Sequence, residues 1–279
     1  MGIWRCGTIE LTCDRPLVMG IVNVTPDSFY DGGRYGCIES AVRHAQDLLD
    51  AGADMIDVGG ESTRPGAAAV DPDEEAARVL PVVAALAAEG GFPVSVDTRH
   101  ASVAAAAIEM GASVINDVTG FADPKMREVA AASDAGLVVM HMLGEPSTMQ
   151  ERPVYDDVVA EVKQHLLSRA DALLAEGVAR ERICLDPGIG FGKTLEHNLA
   201  LMRSLHEFAS AGYPVMLGAS RKRFIADLCG ASAGGPKNRL GGSIAAAVMG
   251  AARGAAVIRT HDVAETVQAL CVARALSRG

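Results

Sequence analysis

Eight short apolar, β-branched runs, amphipathic stretches between them and polar side chains closing each run predict a (β/α)8 TIM barrel of the α/β class. A short N-terminal β-hairpin precedes it, and residues 1–279 form a single domain. The runs are continuously apolar instead of alternating, as strands buried on both faces of a parallel sheet are. The stretches between them follow a helical period and end in glycine, a common helix stop. Eight β-then-α units in about 250 residues match the size of such a barrel.

The opening residues, "IWRCGTIELTCDRP", alternate weakly and predict a hairpin that plugs the bottom of the barrel. Strands are then expected at Leu17–Val22, Met55–Gly59, Pro93–Asp97, Ser113–Val118, Leu137–His141, Arg182–Asp186, Pro214–Gly218 and Ala255–Thr260. Helices are expected over "ESAVRHAQDLLDAG", "PDEEAARVLPVVAALAAEG" and the longest stretch, "DDVVAEVKQHLLSRADALLAEG". No Pro/Ser-rich linker divides the chain. An open doubly wound sheet, the alternative, normally carries its glycine signature after the first strand. Here "NVTPDSF" follows, without glycine, which favours the barrel.

Composition narrows the function. The 279 residues are 49% hydrophobic but only 4% aromatic, which suits short branched strands covered by alanine-rich helices. A formal charge of −10 argues against a nucleic-acid or acidic-membrane partner, so any site for an anion is local. The apolar stretches are too short to span a bilayer, and the opening residues, without a basic segment followed by an apolar run, are not expected to act as a secretion signal. Met1-Gly2 resembles a myristoylation start, but Cys6 stands at the sixth position instead of Ser or Thr. The six cysteines form no C-x-x-C pair and read as reduced thiols of a cytoplasmic protein.

In a barrel the chemistry sits at the C-terminal strand ends. Those ends carry Asn23; Glu61, Ser62, Thr63 and Arg64; Asp97; Asn116 and Asp117; His141; Asp186; Ser220, Arg221 and Lys222; and Arg259 with His261. One Asp or Asn after a strand is an ordinary turn or cap residue. Eight polar ends converging on one mouth are a site. Asp97, Asn116 and Asp186 suit a planar amidine-like ring edge with adjacent N–H donors. For Asp97 or Asp186 alone, pairing with Lys222 or Arg259 at the rim is the stronger reading. Arg64, Arg259 and His261 suit phosphate oxygens, and Asn23 offers a hard oxygen to Mg2+. His44, His165, His197 and His206 read as solvated helix faces. The stretch "LDPGIGFGKT" is glycine-rich but fits no nucleotide template. Pro187 stands where a Walker A loop needs its first glycine, and Lys193 where G-x-G-x-x-G needs its third.

In order along the chain, "MGIVNVTPDSF", "DVGGESTRPG", "SVDT", "INDV", "VMHM", "LDPGIGFGK", "GASRK" and "IRTHDV" resemble the dihydropteroate synthase family. The resemblance implies a homodimer of barrels. It implies that 6-hydroxymethyl-7,8-dihydropterin pyrophosphate condenses with p-aminobenzoate, with Mg2+, to give 7,8-dihydropteroate and pyrophosphate in folate synthesis. Sulfonamides compete for the p-aminobenzoate position in that family. The family's pterin contacts correspond to Asp97, Asn116, Asp186 and Lys222. Its pyrophosphate and metal contacts correspond to Asn23, Thr63, Arg64, Arg259, Thr260 and His261. Its p-aminobenzoate contacts correspond to Pro65, Phe191, Ser220 and the helix start at Lys222 and Arg223. Arg64, Lys222, Arg259 and His261 would carry the catalysis. Arg223 stands where many members carry serine, and Leu143 where glutamine is common. The loops Thr25–Gly36 and Ser62–Asp71 are expected to fold over the mouth when pyrophosphate binds. Two other readings stay open. One is a methyl-transferring pterin barrel, which would not need Asn23, Arg64, Arg259 and His261 together; the other is a non-catalytic paralogue.

Overall fold

The computed structural model describes residues 2–25, 33–62, 69–145, 148–151, 153–230 and 234–277. Two antiparallel strands come first, β1 (Ile3–Cys6) and β2 (Ile9–Thr12). The barrel strands follow: β3 (Leu17–Asn23), β4 (Met55–Gly59), β5 (Val94–Asp97), β6 (Val114–Asp117), β7 (Gly136–Met140), β8 (Ile183–Asp186), β9 (Met216–Leu217) and β10 (Val257–Thr260). All pair in parallel, in the order β8-β7-β6-β5-β4-β3-β10-β9. A parallel bridge between Leu185 and Val215 joins the two ends. The expected barrel and hairpin are therefore both present. The Pro214–Gly218 run pairs with β10 over two residues only. Pro214 has no N–H for a ladder, and its carbonyl instead accepts the Leu185 amide across the closing seam.

Helices α1 (Gly33–Asp50), α2 (Pro72–Glu89), α3 (Ala101–Glu109), α4 (Pro124–Ala132) and α5 (Val158–Ala175) cover the first strands. After them come α6 (Leu195–Arg203), α7 (Leu205–Ala209), α8 (Arg223–Cys229), α9 (Leu240–Ala252) and α10 (Val263–Leu276). Their starts follow local chemistry. Asp71, Asp123 and Asp157 cap α2, α4 and α5 with their side chains, and Pro72 and Pro124 supply the first turns. Among the described residues, no helix is long and apolar enough to cross a membrane.

Alternation along each strand produces two cores. Val18, Val22, Ile56, Val58, Val96, Ile115, Leu137, Val139, Ile183, Leu185 and Ile258 face outward and pack under the helices. Met19, Met55, Val114, Val138, Cys184, Met216 and Val257 face inward and fill the lower barrel. The hairpin closes that layer from below: Trp4 is fully buried against it and its Nε1–H donates to the Arg182 carbonyl at 2.9 Å. Gly136 is required at this junction, because a Cβ there would stand 2.9 Å from Cys6 Sγ and 3.1 Å from the Arg5 carbonyl. Truncating Trp4 opens a cavity and orphans that carbonyl. Trp4→Ala should cost about 3–5 kcal/mol, read as a lower urea midpoint by circular dichroism, and a midpoint unchanged from wild type would show that the hairpin is not part of the core.

Candidate active site

The inward positions just above the apolar layer are polar. They are Asp57 on β4, Ser95 and Asp97 on β5, Asn116 on β6, Asp186 on β8 and Arg259 on β10. The staggered strands set them at successive inward levels: Asp57 pairs with Ser95, Asp97 with Asn116, and Asp186 with Met140. Arg259 crosses the interior to Asp57 Oδ2, 2.6 Å from Nε, and to Asp97 Oδ2, 2.7 Å from Nη2. Burial alone would lower Arg259, but Asp57 and Asp97 outweigh it and hold the guanidinium above its ordinary value. Burial pushes the Asp97 carboxyl up to about 7 against the pull of Arg259, with Asp57 adding to the rise. Asn116 donates its Nδ2–H to Asp57 Oδ2 at 3.1 Å, while its buried Oδ1 has no protein partner. Asp57 was not among the expected site residues. Its signal was a carboxylate in the middle of the apolar run "MIDVG".

Opposite this group lies Asp186, whose Oδ1 accepts the Gly188 amide at 2.7 Å. Burial raises its pKa, opposed by that amide and by Lys222. Lys222 precedes α8, with Nζ 3.9 Å from the centroid of the Phe191 ring. Burial, then Arg259, draws the ammonium down to about 8, with Asp186 and Asp97 resisting. The backbone between Asp186 and Thr194 is held tightly. Gly188 and Gly192 have φ of 68° and 64°, and a Cβ at either would strike the backbone of His141 or Leu143. Gln150 Nε2 donates to the Gly190 carbonyl at 2.6 Å and the Tyr155 hydroxyl to the Gly192 carbonyl at 2.9 Å. Lys193, almost fully buried, meets His141 Nδ1 at 2.9 Å and the Phe191 carbonyl at 2.9 Å. Burial brings the Lys193 amine down to about 7 and His141 down to about 2. His141 is thus a neutral support for the loop and not a group at the mouth.

At the β10 end, Ser220 Oγ lies 3.0 Å from His261 Nδ1 and accepts the His261 backbone N–H at 3.2 Å. Burial, then Arg259 and Arg221, takes His261 down to about 3, so the ring is neutral near pH 7. A neutral ring that accepts the Ser220 proton at Nδ1 carries its own N–H on Nε2. Asn23 ends β3, half-buried. Among the described residues no group of three His, Cys, Asp or Glu side chains could hold a metal.

Several expected residues have other positions or partners. Arg259 is not a free phosphate fork but an ion-pair bridge. The Thr260 hydroxyl meets Thr266 Oγ1 at 3.3 Å and accepts the Asp262 amide at 3.2 Å, on the helix side of the strand. Asp117 accepts from Thr119 and from the Phe121 amide and builds a turn. Glu61 forms a two-bond ion pair with Arg99, both at 2.9 Å. Arg221 pairs with Asp262. The Arg223 side chain is exposed, 3.5 Å from Asp227, and not turned into the site. His165 is not a solvated helix residue: its ring stands edge-on to His141 at 4.8 Å because α5 packs on β7 there. His197 likewise closes a capping box with Thr194. Thr63, Arg64 and Pro65, and the expected closure of the loops at 25–36 and 62–71, lie wholly or largely outside the described residues.

Known proteins are similar to this chain in sequence and fold. A family profile described as "Pterin binding enzyme" matches residues 19–261. The dihydropteroate synthase of Escherichia coli strain K12 is 46% identical over 275 residues, which cover 99% of this chain and 96% of that protein. A structure of Xanthomonas albilineans dihydropteroate synthase with 4-aminobenzoic acid superposes with a TM-score of 0.93 at 45% identity, over 99% of this chain and 98% of that one. One from Burkholderia cenocepacia, complexed with 7,8-dihydropteroate, gives a TM-score of 0.89 at 45% identity, over 99% and 96% of the two chains. With eight strands closed into one barrel and a polar mouth at their C-terminal ends, this chain belongs to the pterin-binding enzyme family and, within it, to the dihydropteroate synthases.

Proposed function

We propose that the mouth of this barrel joins 6-hydroxymethyl-7,8-dihydropterin pyrophosphate to p-aminobenzoate, releasing 7,8-dihydropteroate and pyrophosphate. The inward polar set Asp97, Asn116, Asp186 and Lys222 carries the reading, because buried carboxylates beside an unpartnered amide oxygen match a ring edge rich in N–H donors. Asp186 and Asp97 accept that edge, Asn116 Oδ1 accepts a neighbouring N–H, and Lys222 donates to a ring acceptor. The Phe191 ring, packed against Met140 and Met149 and capped by Lys222, forms one wall for the aromatic amine. By the family's pattern Pro65 and Ser220 would complete that position. The C–O bond between the pterin methylene and the pyrophosphate breaks, its electron pair leaving with the phosphate oxygen. The aniline lone pair then forms the C–N bond, and the amine proton passes to solvent. No protein nucleophile is required.

The leaving pyrophosphate is received by the N–H of neutral His261, by the Nη1 of Arg259 and by Thr63 and Arg64. Thr260 serves through its backbone, its hydroxyl being engaged. The Asn23 side-chain oxygen is hard and stands at a strand end, and among the described residues no carboxylate cluster surrounds it. Asn23, together with the oxygens of the pyrophosphate, would hold Mg2+, which would supply charge neutralisation to the leaving group. A homodimer is supported by the exposed apolar side chains Leu228, Met249, Val272 and Leu276 on α8, α9 and α10. A cytoplasmic location is supported by the free thiols of Cys6, Cys13, Cys37, Cys184 and Cys271. Competition by sulfonamides follows from their likeness to p-aminobenzoate. Turnover of the two substrates to dihydropteroate by the purified chain tests the reading; its absence with folded protein overturns it.

Three further outcomes are expected. Asp186→Asn should weaken pterin binding by about 1.5–3 kcal/mol, roughly ten- to a hundredfold, in titration calorimetry. Equal affinity would leave Asp186 as a loop anchor for Gly188 only. His261→Ala should weaken pyrophosphate while sparing a pterin without phosphates. Arg259→Ala should weaken both, because it also leaves Asp57 and Asp97 without their shared cation. Loss of pyrophosphate alone in Arg259→Ala would refute the bridge. Finally, Lys222 carries its proton below about 8 and loses it above. Pterin affinity should therefore decline as pH rises through that region, and a profile of Lys222→Met with the same decline would assign it elsewhere.

A further inference from the structure

Asp57 touches both sides of the pterin site. Its Oδ2 accepts Arg259 Nε at 2.6 Å and Asn116 Nδ2 at 3.1 Å, and its side chain is fully buried. Strand β5 lies between β4 and β6, so the contact with Asn116 spans the barrel interior and not a strand edge. A side-chain amide presents a carbonyl on one side and an NH2 on the other, and a half-turn of χ2 exchanges them. A carboxylate oxygen already accepting from a guanidinium takes the NH2 and repels the carbonyl. Asn116 Oδ1 is thereby turned from Asp57, buried and without a partner in the protein. A buried carbonyl of that kind is costly until an N–H is brought to it. The orientation is thus set by charge, not by packing, since the two ends of an amide are nearly equal in size.

We propose that Asp57 is a positioning residue that holds the Asn116 amide with Oδ1 offered to the ligand, so that the site selects a ring edge bearing an N–H over one bearing a lone pair. The inference rests on the pterin reading above. Reduced and oxidised pterins differ in this respect: a 7,8-dihydropterin has an N–H at the nitrogen beside its ring methylene, where the aromatic pterin has a lone pair. In Asp57→Asn the side chain keeps its size, and Asn116 meets a neutral amide that can donate as well as accept. Either face of Asn116 then turns to the ligand.

The test is the affinity of 6-hydroxymethyl-7,8-dihydropterin and of 6-hydroxymethylpterin, by titration calorimetry, for wild type, Asp57→Asn, Asn116→Ala and the double variant. Wild type is expected to prefer the reduced ring by roughly tenfold. The preference should fall severalfold in Asp57→Asn, and Asp57→Asn should leave it unchanged in the Asn116→Ala background. A loosened Arg259 weakens both ligands alike and does not move the ratio. No preference in wild type, equal weakening of both rings in Asp57→Asn, or a shift persisting without Asn116 overturns the proposal. If Asp57→Asn does not fold, the nitrogen-15 spectrum of wild type decides. The Asn116 side-chain NH2 pair, assigned by its loss in Asn116→Ala, should exchange slowly with solvent, and rapid exchange overturns the hold by Asp57. Wild type binding neither pterin defeats the functional reading, while amide exchange still reports on Asp57.

Discussion

The bridge Asp57–Arg259–Asp97 is the interaction on which the site depends. Arg259 reaches Asp57 across 202 residues of sequence and Asp97 across 162, joining β10 to β4 and β5 at their C-terminal ends. Two buried carboxylates around one guanidinium leave an excess of negative charge, and burying ions is costly unless each is well paired. The excess is offset in part by Lys222, itself drawn down to about 8 by burial and by Arg259. A pocket with this balance favours a ligand that brings N–H donors and opposes one that brings only lone pairs. Recognition of the ring and stability of the upper barrel therefore rest on the same charges.

The barrel is divided by height. Its lower interior is apolar and closed by Trp4; its upper interior is polar and open. This division follows from strand alternation, since successive inward residues of a strand fall in successive layers. Met55 and Asp57 on β4, Val114 and Asn116 on β6, Cys184 and Asp186 on β8, and Val257 and Arg259 on β10 are such pairs. A loss of packing below and a loss of chemistry above are separable because two residues on one strand do the two jobs.

Most of the fold was legible because buried parallel strands leave continuous apolar runs, and all eight appear within two residues of their expected bounds. The run at Pro214 was shorter in fact because pairing depends on N–H groups that a hydropathy pattern does not record. For the site, position was legible and partnership only in part. Asp97, Asn116, Asp186, Lys222 and Arg259 do stand at one mouth, and an Asp97–Arg259 pair was among the readings, yet the pattern gave no sign of Asp57 as the second partner of Arg259. Thr260 lies on the outward side of β10, a distinction of one residue in register. Lys193 and His165 were passed over because a lone lysine after glycine and a histidine in a helix look solvated. Their burial exists only once α5 packs on β7 and the loop folds back over His141.

Trp4 is the single tryptophan of the chain, and it lies in the apolar lower layer with its indole N–H already bound to the Arg182 carbonyl. The protein thus carries one indole fluorophore, which can be excited apart from its four tyrosines, placed at the end of the barrel opposite the ligand mouth. An indole so buried and hydrogen-bonded is expected to change its emission when the lower layer is hydrated. The polar residues of the mouth are not among the side chains packed with it in the lower layer. Emission therefore follows unfolding of the closed end, independently of events at the open one, so that one optical signal separates a variant that has lost its fold from one that has lost only its ligand.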